Sequence, residues 1–249
     1  MCGRFSQTHS GTAIAEAFQL SVTPDLTPRY NIAPTQAVSV VTQSRRTDER
    51  VHHQKRWGLV PKWAKDIGLG NRLINARAET VATKPAFRTA FQRRRCLVVT
   101  DGFYEWQRTP TTASPSGNPS EAATHETSSP SPSNRGPTKQ PFFIQLASRS
   151  PFAFAGLWER WQDPETSEPV FSCTILTIRP NDLMASIHHR MPVILPPEAY
   201  EAWLDPSFYN PGTLESLLRP YDTVEMTATP ISTAINNPRN DSERVQQPC

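Results

Sequence analysis

Short, mainly apolar runs of five to eight residues, separated by polar segments, recur along this chain, and apolar runs of this length are typical of β-strands. Seven stretches are also enriched in β-branched and aromatic residues, which favour strands. They cover residues 37–42, 51–58, 96–100, 142–146, 152–157, 171–177 and 223–226. Strands therefore dominate the predicted structure.

Helical periodicity is confined to residues 11–20, 84–94, 197–204 and 211–218. The last two segments begin with a proline, which is favoured in the first turn of a helix because its nitrogen needs no hydrogen bond there. Strands and helices do not alternate regularly, which argues against a parallel sheet with crossover helices. We therefore expect an α+β protein with a mainly antiparallel, partly closed, barrel-like sheet and short flanking helices.

Residues 109–139 interrupt this pattern. They are rich in Pro, Ser and Thr, so that folding them would bury too little apolar surface to offset their ordering entropy. The segment lies between two predicted strands, where a long loop closes at small entropic cost. We expect a single domain at residues 1–240, interrupted by a disordered insertion at 109–139 and followed by a flexible tail at 241–249.

Composition limits the classes of function. Apolar residues are 37% of the 249 residues and the net charge is +3, which permits a nucleic-acid partner without requiring one. No apolar run approaches the roughly 20 residues that span a bilayer, and a secretory signal is lacking. The cysteines show no CxxC spacing, so we expect no disulfide, metal or cofactor. A monomer in the nucleus or the cytoplasm is the expectation.

The chain begins Met1-Cys2. Removal of Met1, which is favoured before a small residue, would leave Cys2 with a free α-amine beside its thiol, and these groups have reference pKa values of about 8 and 8.5. Such an aminothiol condenses with an aldehyde to an imine, and its thiolate then closes a five-membered thiazolidine ring. Cys2 alone is weak evidence for this chemistry, because many chains begin in this way.

Two later segments carry groups that could assist. Residues 73–80 place Asn75, Arg77 and Glu79 together, although the same pattern fits a loop whose polar side chains cap a helix. Glu105 lies between aromatic residues in DGFYEW, where desolvation would raise its pKa and suit it to proton transfer near neutral pH. The alternative is an exposed Glu at a strand end.

The segment SIHHRMPV carries His188, His189 and Arg190. A His beside an Arg combines proton transfer with phosphate binding. We expect at most one of the two histidines to face a site, and a purely structural role is the alternative for either.

Aromatic and basic residues are interleaved in WGLVPKW, at residues 57–63. Flat rings beside cations suit base stacking in single strands. We expect Trp57 in the core, whereas Trp63 remains open to either role. The run Arg93-Arg94-Arg95 is expected to be a solvated helix face.

Together these segments resemble the SRAP family of abasic-site processing proteins. The resemblance rests on eight motifs that follow one another along nearly the whole chain outside residues 109–139. They are MCGRF at the start, RYNIAPTQ at 29–36, WGLVPKW at 57–63, INARAET at 74–80, DGFYEW at 101–106, PFFIQL at 141–146, IHHRMPVIL at 187–195 and ISTAINNPRN at 231–240.

The resemblance implies a covalent crosslink to abasic sites in single-stranded DNA. Cys2 would be the nucleophile, Asn75 would bind the crosslinked residue, and Glu105 would transfer protons during imine formation and ring closure. His188 would promote opening of the sugar ring and strand cleavage. The family also implies self-removal of the N-terminal residue and weak lyase activity.

The resemblance further implies a set of DNA contacts. Three arginines would grip phosphates, an Asn and a Pro would line the DNA path, and a Trp would wedge against the duplex edge. These residues are Arg4, Arg77, Arg190, Asn31, Pro34 and Trp63. His189 stands where family members often have Asp.

Two other classes of protein fit parts of the pattern. An N-terminal nucleophile amidohydrolase would use Cys2 to attack an amide, but the layered αββα alternation of that class is missing here. A non-catalytic single-stranded DNA binder would use only the Trp and Arg surface. A free α-amine is required by the crosslinking hypothesis alone.

Overall fold

The computed structural model describes residues 2–108 and 139–249. The predicted insertion therefore lies outside the described residues, apart from Lys139. The described part contains thirteen strands and five short α-helices, and none of these helices is long and apolar enough to cross a membrane. In chain order the elements are β1 Phe5–Gln7, α1 Gly11–Phe18, β2 Arg29–Ile32, β3 Ala37–Gln43, β4 Arg50–Trp57, β5 Asn75–Arg77, α2 Arg88–Arg93, β6 Arg95–Thr100, β7 Gly102–Arg108, β8 Lys139–Leu146, β9 Phe152–Gln162, β10 Pro169–Ile178, α3 Asp182–Ala185, β11 Met191–Pro192, β12 Ile194–Leu195, α4 Tyr200–Leu204, α5 Pro211–Ser216 and β13 Met226–Pro230.

Five strands close into a barrel. β3 pairs antiparallel with β4 and β6, and β9 pairs antiparallel with β6 and β10. The ring is closed by a parallel pairing of β4 with β10, in which Trp57 lies opposite Cys173. The predicted fold class, an α+β protein built on a mainly antiparallel barrel, is confirmed.

A second, open sheet has the strand order β13-β8-β7-β1-β2. It packs against the barrel through aromatic rings: the Phe5 centroid lies 5.0 Å from Trp57 and 5.9 Å from Phe154. Gly102 begins β7 where the two sheets meet, and a Cβ there would lie 2.2 Å from the ring of Phe143. Only glycine allows this approach.

The two ends of the barrel differ. At one end, which we call the hairpin end, the chain turns between β3 and β4 at residues 44–49 and between β9 and β10 at residues 163–168. At the opposite end β5 adds to β10 with Asn75 opposite Ile175, and β11 adds to it with Pro192 opposite Thr177. The candidate site described below lies at this second end, which we call the site end.

Most predicted elements are confirmed, with shifted boundaries. The strands predicted at 37–42, 51–58, 96–100, 142–146, 152–157 and 171–177 correspond to β3, β4, β6, β8, β9 and β10. The prediction at 223–226 is wrong, because Thr223–Glu225 forms a 3-10 turn capped by Asp222 and β13 starts only at Met226. The helix predicted at 84–94 is the shorter α2.

Arg95 corrects the expectation of a solvated arginine run. It belongs to β6 rather than to a helix, and it is buried. Its guanidinium donates to the carbonyls of Phe91 and Gln92 at 2.8 Å and of Trp203 at 2.6 Å. A buried guanidinium is tolerated where its donors are satisfied in this way.

The C-terminal residues 241–249, expected as a flexible tail, are packed in the structure. Val245 is buried, and an isolated bridge joins Ile231 to Pro248. Asp241 accepts a hydrogen bond from the backbone nitrogen of Asn31 at 2.9 Å. This segment therefore fastens the outer strand β2 of the open sheet.

Candidate active site

Cys2 lies directly before β1 and is completely buried. The Asn75 side-chain amide, at the start of β5, donates to the Cys2 carbonyl at 2.7 Å. Burial, and next the charge of Glu105, raises the pKa of the Cys2 thiol. In the full chain Met1 also acylates the Cys2 nitrogen. Cys2 is therefore fixed in place, but it is unreactive as an aminothiol until Met1 is removed.

Glu105 lies in the middle of β7, where its side chain is buried. Burial raises the pKa of the Glu105 carboxyl from 4.5 to about 7. Its Oε2 atom is 3.9 Å from Nε2 of His188, which follows α3. Glu105 can therefore exchange a proton near neutral pH, as its aromatic surroundings in the sequence predicted.

His188 is held by the backbone of Arg190. Its Nδ1 atom lies 3.0 Å from the Arg190 carbonyl oxygen and 3.1 Å from the Arg190 nitrogen, so that the tautomer decides which of the two is its partner. Burial lowers the pKa of His188 to about 4. If Glu105 and His188 formed an ion pair, the pKa of Glu105 would be lowered and that of His188 would be raised. Burial dominates, so between about pH 4 and 7 the carboxyl and the imidazole are both neutral.

The adjacent histidine differs from His188. The two rings lie 4.3 Å apart, but His189 is exposed whereas His188 is partly buried beside Glu105. A cavity of about 320 Å³ opens next to His188 and is also lined by Trp106 and Arg108. His189 lines the same cavity, which therefore offers an open approach to both histidines, whereas Glu105 lies buried behind His188.

Arg4 is part of a buried clamp rather than a free cation. Its guanidinium donates to Oδ1 of Asn31 at 2.6 Å and to the Ile235 carbonyl at 2.9 Å. Asn31 is completely buried, and its amide donates to the carbonyls of Asn237 at 3.0 Å and Asn240 at 2.8 Å. In this conformation Asn31 therefore positions Arg4 and is not itself exposed to a DNA strand.

The other residues expected to bind DNA lie at or near the surface. Arg77 is exposed at the end of β5, and Trp63 is 61% exposed. Pro34 is half-buried in the turn before β3. Arg190 makes a bidentate ion pair with Glu79, at 2.6 and 2.9 Å. A phosphate would have to compete with this carboxylate for Arg190.

Metal ligands are not gathered at this site. Among the described residues, no group of three or more His, Cys, Asp or Glu side chains is arranged to hold a metal ion. The chemistry must therefore be assessed from Cys2, Asn75, Glu105 and His188, which come from four segments far apart in the sequence. The structure brings all four to the site end.

The comparisons with known proteins identify the family of this chain. The model of one protein family, described as SOS response associated peptidase (SRAP), matches residues 1–238. The chain belongs to the SRAP family. It is 40% identical over 245 residues to abasic site processing protein YoqW of Bacillus subtilis strain 168, with 97% of each chain covered. The resemblance drawn from the motifs is confirmed.

A further relative and one solved structure are also similar to this chain. The chain is 30% identical over 246 residues to abasic site processing protein HMCES of Gallus gallus. The aligned region covers 86% of this chain and 64% of that protein. A crystal structure of a protein from Bacteroides thetaiotaomicron superposes with a TM-score of 0.78 at 26% identity, covering the full length of both chains.

Two contacts near the site were not predicted from the sequence. Glu79 was noted beside Arg77, but its ion pair with Arg190 spans 111 positions and has no local signal. Asp241 lies in a polar segment that was predicted to be a flexible tail, but it accepts hydrogen bonds from the backbone nitrogens of Tyr30 and Asn31, next to the Arg4 clamp. The weak signal was the motif ISTAINNPRN directly before it.

Proposed function

We propose that this protein, after removal of Met1, forms a thiazolidine crosslink through Cys2 with abasic sites in single-stranded DNA. The observation that carries the proposal is the placement of Cys2. Its carbonyl is held by Asn75, and the neutral Glu105–His188 pair lies at the same end of the barrel. Such a crosslink would protect the abasic site during the response to DNA damage.

The proposed reaction requires a free Cys2 amine and a ring-opened sugar aldehyde. The amine adds to the aldehyde carbon, and the resulting hydroxyl leaves as water with a proton supplied by the Glu105 carboxyl. The Cys2 sulfur then adds to the imine carbon, and the thiol proton ends on the ring nitrogen. One water is released and no electrons are gained or lost. The neutral imidazole of His188 serves as the base that opens the sugar ring.

The electrostatics of the pair support this division of roles. With a pKa of about 7, Glu105 is about half protonated at pH 7 and mostly protonated below pH 6, whereas His188, with a pKa of about 4, is mostly unprotonated above pH 5. An acid and a base thus coexist over the same pH range, as general acid–base catalysis requires. The same pair supports two secondary proposals, self-removal of the N-terminal residue and weak strand cleavage of the lyase type.

The surface around the site suggests how a strand is held. Exposed Arg77, at the site end, is a phosphate contact. Trp63 is also exposed but lies toward the hairpin end, since the carbonyl of the next residue, Ala64, accepts a hydrogen bond from Trp161 near the end of β9. Its ring offers a surface on which a base or a duplex end can stack farther along the strand. Arg4 and Arg190 are already held by protein acceptors. We propose that they bind phosphates after rearrangement, and that Asn31 acts through Arg4.

The decisive experiment compares variants at Cys2 on a denaturing gel, using an oligonucleotide with one abasic site. The wild-type protein should give a stable adduct whose mass corresponds to the protein without Met1 plus the DNA minus one water. Cys2→Ser keeps the amine but lacks the thiol, so its imine adduct should survive only after borohydride reduction. Cys249→Ala removes an exposed thiol elsewhere and is the matched control.

The same gel separates the rival functions. If Cys2→Ala crosslinked as stably as wild type, the proposal would be wrong. A protein whose N-terminus is blocked should bind DNA without crosslinking; unchanged crosslinking would exclude the α-amine. Amide hydrolysis without a DNA adduct would favour the amidohydrolase, and binding indifferent to abasic sites would favour a simple single-stranded DNA binder.

A further inference from the structure

The hairpin end of the barrel contains a second cavity, of about 600 Å³. It is lined by the ends of β3 and β9 and by the starts of β4, β6 and β10. Phe171 at this cavity and Thr177 at the site end are six positions apart on β10, which corresponds to about 20 Å at a rise of about 3.3 Å per residue. The cavity is therefore distinct from the site that contains Cys2.

The lining of this cavity is strongly basic. Six guanidinium or ammonium groups line it but only one carboxylate, Glu159. Glu159 is already paired with Arg94 at 2.6 Å, and both side chains are largely buried. Lys62 and Arg160, both exposed, leave their charges available at the rim. The cavity thus has an excess of positive charge that suits an anionic ligand.

A buried ammonium group contacts two of the rings that line this cavity, although its own residue, Lys55, is not part of the lining. Lys55 is only 6% exposed, and its Nζ atom lies 4.6 Å from the ring centroid of Trp158 and 5.0 Å from that of Phe171. Both rings line the cavity. Among residues 2–108 and 139–249, no carboxylate pairs with Lys55. A buried cation without a counterion is costly, and burial accordingly lowers the pKa of Lys55.

The aromatic rings supply a second recognition element. Phe171 is 40% exposed, and its ring packs against that of Trp158 at 6.4 Å between centroids. An exposed ring on a rigid strand, beside cations, can stack on a base. Lys62 leads directly to exposed Trp63, so that the cavity is continuous with the surface proposed to hold DNA.

We propose that the mouth of the barrel at the hairpin end is a binding site for a nucleotide unit, with the phosphate beside Lys55 and the rim cations and the base on Phe171. The volume is sufficient, since pockets for small ligands measure about 300–1,000 Å³. The unit could be a free mononucleotide or part of a DNA strand. Binding of a DNA strand at this site rests on the proposed function, whereas binding of a free mononucleotide does not.

Calorimetric titration with thymidine 5′-monophosphate tests this site in the Cys2→Ala background, where no crosslink can form. Binding should be saturable, and Lys55→Met and Phe171→Leu should each weaken it about ten-fold. Arg219→Gln removes an exposed cation from a different cavity and should have no effect. Lys55→Met keeps the apolar stem, and thermal unfolding verifies that each variant is folded.

Further ligands test separately the source of the nucleotide unit, the phosphate contact and the base contact. An undamaged oligothymidylate that binds in a Lys55-dependent manner, when the mononucleotide does not, identifies a strand as the source. Thymidine binding as tightly as its monophosphate would overturn the phosphate contact, and inorganic phosphate binding as tightly would overturn the base contact. If neither nucleotide probe depends on Lys55 or Phe171, the site does not exist. Failure of crosslinking by the Cys2-containing protein would leave these results unchanged.

Discussion

Glu105→Gln should make the protein more stable and less active at the same time. The Glu105 carboxyl ionises with a pKa of about 7 in the folded protein, against 4.5 ordinarily. This difference corresponds to about 3 kcal/mol, since a tenfold change in proton affinity is about 1.4 kcal/mol. The folded state thus loses about that much stability as the group ionises.

The direction of the pH dependence follows from which state ionises first. Above pH 4.5 the unfolded chain releases the Glu105 proton while the folded protein retains it, so that this group's contribution lowers the free energy of unfolding from pH 4.5 up to about pH 7. Well above pH 7, the free energy of unfolding is lowered by the full amount of about 3 kcal/mol. Glutamine does not ionise, and its amide occupies nearly the same volume. The free energy of unfolding of Glu105→Gln should therefore lack the decrease that Glu105 causes in wild type.

The assay is urea unfolding of wild type and Glu105→Gln at pH 5 and pH 8. Relative to wild type, the variant should gain about 2.5 kcal/mol on going from pH 5 to pH 8. Glu79→Gln is the control: the hydrogen bond from Arg190 lowers the pKa of Glu79 below 4.5, so Glu79 changes its contribution only in more acidic solution. The difference between Glu79→Gln and wild type should therefore stay nearly constant from pH 5 to pH 8. Equal declines in wild type and Glu105→Gln would refute a raised pKa, and undiminished crosslinking by the variant would refute proton transfer by Glu105.

Three substitutions test other parts of the structure. Asn75→Ala should slow crosslinking about 100-fold in a gel time course, because the Cys2 carbonyl loses the amide that positions it; an unchanged rate would show that positioning by Asn75 is unnecessary. Asn31→Ala should lower the free energy of unfolding in urea by about 1–3 kcal/mol, because the carbonyls of Asn237 and Asn240 lose their donor, and a loss near zero would contradict the clamp. Gly102→Ala should cost about 1–3 kcal/mol because its Cβ meets the Phe143 ring, which would be contradicted by an unchanged melting temperature.

The fold class was predictable because its signals are local. Runs of β-branched, aromatic and other apolar residues mark β3, β6, β9 and β10, most of whose residues are buried in the core. The closure of the barrel was not predictable, since the parallel pairing of β4 with β10 joins residues more than a hundred positions apart. Strands of two or three residues, such as β5 and β11, are too short to carry a pattern.

The candidate site was predictable mainly through its motifs. Asn75, Glu105 and His188 stand in distinctive segments, and the aromatic neighbours of Glu105 indicated its raised pKa. Nothing local indicated that burial lowers the pKa of His188. Arg95 was misread because a run of arginines at the end of a helix resembles a solvated face. Its burial depends on carbonyls supplied by residues around 203–208, which sequence proximity cannot reveal.

The clamp on Arg4 has a consequence for protein synthesis. Arg4 donates to the carbonyl of Ile235, 231 positions later, so that the surroundings of Cys2 can be completed only after nearly the whole chain has left the ribosome. Domains that begin to fold during synthesis normally do so from the N-terminus. Here the first residues to emerge are among the last to reach their final contacts. A chain that ends before Ile235 would carry Cys2 without the carbonyl that holds its neighbour Arg4, so that the proposed crosslinking would require translation past Ile235.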